Sequence, residues 1–108
     1  MKKLLLLFAC AVFTACSAKL MVPTQADAER GSDRYAGLTL AELKTGKATY
    51  EQYCDKCHPL KKTENFTISE WESIVPDMVK KVNKKESLMT EKDENDVLKY
   101  VTTMAKRS

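Results

Sequence analysis

The residues best equipped for chemistry sit in one short stretch, Cys54-Asp55-Lys56-Cys57-His58, inside "YEQYCDKCHPLKK". Two thiols with two residues between them make a redox dithiol or half a zinc site. A histidine directly after the second thiol adds a third possibility, covalent attachment of haem. Cysteine arithmetic separates the three. The 108-residue chain holds four cysteines, and only Cys54 and Cys57 lie beyond its first sixteen residues. No second pair exists to build a disulfide framework. A tetrahedral zinc site needs four ligands, and His58 is the single histidine available beside the two thiols. A thioredoxin-like dithiol belongs between a strand and a helix, and no strand signal precedes Cys54. Haem attachment fits the spacing. A short turn lays both thiols along one porphyrin edge, each adds to a vinyl group as a thioether, and the adjacent imidazole meets the iron from one face.

The N-terminus predicts where this chemistry happens. Lys2 and Lys3 precede an apolar run at 4–13, too short to span a bilayer but long enough for a signal-peptide core. The run ends in Phe13-Thr14-Ala15-Cys16, which resembles the lipobox of bacterial lipoproteins, with Phe13 where leucine is commonest. The resemblance implies removal of residues 1–15 and lipidation of Cys16, which becomes the new N-terminus. Cys10 leaves too short an apolar core to serve instead. An ordinary secretory signal cut near Ala15 or Ala18 is the alternative. Both readings export the domain, to face the periplasm or the cell surface, where unprotected thiols do not last.

Of 18 basic residues two, Lys2 and Lys3, leave with the leader, and the remaining 16 stand against 15 acidic ones. That balance gives no case for nucleic acid. No acid–base constellation points to a small-molecule substrate. A domain this small makes a thin core by itself and usually needs a staple or cofactor.

The elements that must position the motif read as helices. Residues 16–37 mix Pro23, Gly31, small polar residues and scattered charge without apolar periodicity, and predict a mobile tether lifting a domain at 38–108 off the membrane. From Thr39, Leu40, Leu43, Lys47, Tyr50 and Cys54 recur at helical spacing, with Thr39 and Glu42 as a capping box. Gly46 inside this helix predicts another backbone passing close by. A second helix is expected from Ser69, capped with Glu72, carrying Trp71, Ile74, Val75, Met78 and Val82 on one face and kinked or restarted at Pro76. A third is expected from Thr90, with Glu91, Asp93, Glu94 and Asp96 early, Lys106 and Arg107 at its end, and an apolar stripe of Val97, Leu98, Tyr100, Val101 and Met104. The fold class expected is all-α, with three main helices around one covalently bound haem.

On these residues the chain resembles a family. "GKATYEQYCDKCHPL" is similar to the front of small monohaem cytochromes c, with a glycine and an aromatic on the helix leading into the haem motif. "EWESIVPDMVKKV" and "ENDVLKYV" resemble the later helices of such proteins, so the likeness covers about 38–104. It implies that the first and last helices cross, with Tyr50 meeting Val97, Tyr100 or Val101 near Gly46. It also implies that the Trp71 helix carries the second axial ligand.

With one histidine in the chain, the far side of the iron is left to methionine, lysine, solvent or nothing. Met78, Met89 and Met104 are the methionine candidates. Met78 is favoured, because it lies on the apolar face of the Trp71 helix and matches the position of the family's ligand. Met89 is the alternative sixth ligand, from a loop that often supplies one in the family. Each could also be core filler, as Met104 is expected to be. Trp71 could pack on the porphyrin, reach a propionate through its N–H, or serve as a core aromatic. Lys56, Lys61 and Lys62, and the run Lys80, Lys81, Lys84 and Lys85, either steer an acidic redox partner or form solvated surface. The function implied is single-electron transfer between redox partner proteins by a membrane-anchored carrier. A haem enzyme or sensor with an open sixth site is the alternative, and a dithiol or metal-binding lipoprotein is a remoter one.

Overall fold

The computed structural model describes residues 20–54, 60–84 and 88–107. Among them are four α-helices, α1 (Gln25–Gly31), α2 (Leu40–Tyr53), α3 (Ile68–Asn83) and α4 (Glu91–Thr103). A 3-10 turn, Thr63–Asn65, precedes α3, and no strand is present among the described residues. The fold is all-α. No described helix is long and apolar enough to cross a membrane.

Each helix starts on the same local device. A threonine accepts from the backbone N–H three residues on, and the acidic side chain there accepts from the threonine N–H. The pairs are Thr24 with Asp27, Thr39 with Glu42, Thr67 with Glu70 and Thr90 with Asp93. The starts at Thr39 and Thr90 agree with the sequence. The start of α3 does not: Thr67, not Ser69, is the cap. Two overlapping boxes compete there, and the Lys106 N–H, donating to the Phe66 carbonyl at 2.8 Å, fixes the chain one residue before Thr67. Nor does α3 stop at Pro76, which lies within the continuous helix. Lys106 and Arg107 lie beyond the end of α4, so no basic residue occupies its last turn.

The last helix is the hub, in contact with α1, α2 and α3 alike. It crosses α2 at Gly46, where a Cβ would run into the Asp96 carbonyl oxygen and come within 2.8 Å of the Tyr100 Cβ. The close approach expected of that glycine is therefore present, and α4 is the backbone that makes it. Tyr50 and Tyr100 lie beside the crossing with ring centroids 6.3 Å apart.

Residues 20–37 differ from the tether expected of them. Leu20 is buried in the main core, and Ala28 is fully buried in a second cluster with Leu38 and Leu43. Arg30 donates to the Thr103 carbonyl at 2.9 Å, and the Tyr35 hydroxyl bonds Thr102 Oγ1 at 2.9 Å. The segment is a folded flap over α4, made by hydrogen bonds and a few small contacts rather than by an apolar stripe.

Candidate functional site

The second helix ends at the motif. Its last turn runs from Tyr50 to Cys54, whose N–H donates to the Tyr50 carbonyl at 3.0 Å. Cys54 is buried, at 5 % exposure, at the C-terminal end of α2. Cys57, His58 and Lys56 lie outside the described residues, as do Cys16, Lys85 and the leader.

Around Cys54 the core gathers most of the residues singled out by sequence. Tyr50, Cys54, Trp71, Met78, Met89 and Met104 belong to one buried cluster, together with Val75, Val82, Val97, Tyr100 and Val101. All three methionine candidates for a sixth ligand are thus in the same apolar cluster as the first thiol. They are held differently. Met78 is fixed by its place on the buried face of α3. Met89 follows α3 and is clamped through its backbone: Asn83 Oδ1 accepts from the Met89 N–H at 2.9 Å, and Asn83 Nδ2 donates to the Met89 carbonyl at 3.1 Å. No spacing signal in the sequence marks Asn83 for this role, since its side chain reaches five and six residues ahead.

The aromatic residues have settled partners. Trp71 Nε1 donates to the Thr63 carbonyl at 2.9 Å. Its ring meets Tyr50 edge-on at 5.9 Å and Phe66 at 5.2 Å. This makes Trp71 a core aromatic that ties α3 to the turn before it. The Tyr50 hydroxyl donates to the Lys61 carbonyl at 2.6 Å and accepts from the Lys61 N–H at 3.1 Å. It thereby ties the last turn of α2 to Lys61, on the far side of Cys57 and His58 in sequence. Burial pushes the Tyr50 phenol far up, with the Cys54 side chain adding to the effect and the Lys61 hydrogen bond opposing it. Tyr50 therefore stays a proton donor at any physiological pH.

The exposed lysines contribute little order. Lys61 reaches over the Phe66 ring at 5.7 Å, and Lys81 pairs with Asp77 at 3.1 Å on the open surface of α3. Two surface cavities lie elsewhere: one of about 630 Å³ bounded by Arg34, Thr67 and Lys106, and one of about 480 Å³ bounded by Glu42, Lys92 and Lys99.

The donor set suits an iron porphyrin. A thiol stands at a helix end, and thioethers are held in the same apolar cluster, which is soft-ligand chemistry in a water-poor setting. Among the described residues no group of three His, Cys, Asp or Glu side chains converges as a metal site. No family model, curated protein or solved structure matches this chain.

Proposed function

We propose that the chain is a monohaem electron carrier of the cytochrome c type, exported and anchored to a bacterial membrane through lipid on Cys16. The observation that carries the reading is the Cys54-x-x-Cys57-His58 motif, at the end of a helix whose Cys54 shares a buried cluster with the methionines suited to complete an iron site. Cys54 and Cys57 would hold the group through thioethers, and His58 would ligate the iron from one face. Met78, or Met89 in its place, would ligate from the other. Bound there, haem supplies a one-electron ferric–ferrous couple. The protein's part is to close the site. A thioether favours the ferrous state and raises the potential, and the surrounding valines and aromatics keep water away. Tyr50 ties the residues on either side of the motif together through Lys61. A six-coordinate, closed iron suits outer-sphere transfer to a protein partner and leaves no position for substrate.

Optical spectra of the purified mature protein test this. The ferric form is expected to show a methionine–iron charge-transfer band, lost in Met78→Ala and kept in Met89→Ala. Loss in Met89→Ala alone would move the ligand to the loop. A high-spin ferric spectrum in the parent would favour an enzyme or gas sensor instead. An intact mass without added porphyrin would end the haem reading altogether.

A further inference from the structure

Almost no chain separates the proposed lipid anchor from the folded body. Leu20 is buried in the main core, and the Met21 carbonyl accepts from the Tyr100 hydroxyl at 2.7 Å. Pro23 is buried, and Thr24 then caps α1, which is fastened to α4 through Arg30. Leu20 is thus already part of the folded body. Only Ser17, Ala18 and Lys19 stand between it and Cys16, and four residue steps reach about 14 Å at full extension. Much of that reach is taken up in crossing the polar layer of one leaflet, about 5 to 8 Å deep. The clearance left is smaller than the domain itself.

The side chains beside the anchor suit that position. Leu20 points into the core, whereas Met21 and Val22 are 43 % and 68 % exposed. An apolar pair next to an acylated cysteine finds its burial at the boundary of headgroups and acyl chains. We infer that residues 20–22 form a docking strap that holds the domain flush against a lipid surface, with Met21 and Val22 seated in that boundary. The inference rests on the lipidation of Cys16 in the proposed function. It also orients the molecule. Tyr100, which holds Met21, lies beside Tyr50, and Tyr50 is one helical turn before Cys54. The strap therefore lies on the side of α4 whose Tyr100 packs beside Tyr50, and the partners reached there are those at the membrane surface.

Neutron reflectometry of the lipidated full protein on a phosphatidylethanolamine–phosphatidylglycerol bilayer, with intact mass measured on the same sample, tests the strap. The parent is expected to form a protein layer contiguous with the headgroups. A variant with twenty Gly/Ser residues inserted between Lys19 and Leu20 is expected to open a hydrated gap of about 25 Å. Met21→Glu with Val22→Glu, two exposed positions that leave the core intact, is expected to lift the parent layer by a smaller amount. A lipidated parent showing the same gap as the insertion variant overturns the strap and leaves the anchor standing. A layer of double thickness, meaning that a second copy covers Met21 and Val22, also overturns it. A mass without lipid on Cys16 removes the anchor and the strap together.

Discussion

At Gly46, α2 meets α4 backbone to backbone; two turns later, at Cys54, the same helix ends in a buried cluster that also holds three methionines. The first contact has no adjustable atoms, because the obstacle to a Cβ is the Asp96 carbonyl of α4. The cluster that Cys54 joins includes Met78, Met89 and Met104, unbranched and polarisable side chains that tolerate repacking. One end of the core thus sets where the helices lie, and the other holds side chains that tolerate exchange. The division of labour can be broken at either end.

The largest effect is expected at the crossing. Gly46→Ala gains about 1 kcal/mol of helix propensity, yet it must push two backbones apart. Overpacking against backbone outweighs that gain, and a net loss of about 2 kcal/mol is expected, with Gly46→Val worse. Urea unfolding at constant slope checks it. A neutral Gly46→Ala would mean that α2 and α4 do not touch there.

Trp71 joins the two ends, and its loss comes next. Trp71→Phe keeps an aromatic ring against Tyr50 and Phe66 but leaves the buried Thr63 carbonyl without its donor. A buried acceptor left unmet costs about 1 to 3 kcal/mol. If the variant is as stable as the parent, the turn before α3 is not fastened through the indole.

The rigid end was the more legible in the sequence. Thr39 with Glu42, Thr90 with its acidic first turn, and a lone glycine inside a helix each have one dominant physical meaning, and each is found in the structure. The flap at 20–37 was not legible. Its helix is two turns long, its buried anchor is the small Ala28, and its attachments are an arginine and a tyrosine reaching atoms more than 60 residues away. Apolar periodicity has nothing to register in such a segment. The start of α3 was misread for a related reason, since Thr67 with Glu70 and Ser69 with Glu72 are equally good boxes. A contact from Lys106, distant in sequence, decides between them. At the candidate site, the burial of Cys54 and Met78 in one cluster followed from helix faces. The Asn83 clamp on Met89 depends on a loop and was missed.

At the soft end, Met78→Leu is expected to cost less than about 1.5 kcal/mol, as volume-conserving core exchanges do. Met104→Leu should be equally mild, so stability does not distinguish the two positions. The optical spectrum does: only the Met78 variant is expected to lose the charge-transfer band. Identical spectra for the two variants would make Met78 filler and turn attention to Met89.

The smallest effect concerns the flap, which shares the rigid end's reliance on polar fastening. Burial pushes the Asp27 carboxyl up. The Thr24 backbone N–H, the Arg30 guanidinium and the Thr24 hydroxyl together outweigh it and hold Asp27 below the usual aspartate range. A carboxyl lowered by folding stabilises the native state above its unfolded value, near pH 4, and that contribution is lost as pH falls through the folded value. The Asp27–Arg30 pair is partly exposed, so Asp27→Asn is expected to cost under about 1 kcal/mol at neutral pH. Denaturation midpoints of parent and variant should differ at pH 7 and converge as the pH drops below 4. A difference that persists in acid would mean that Asp27 acts through its shape alone, and that α1 is held by Arg30 and Tyr35 without help from its own cap.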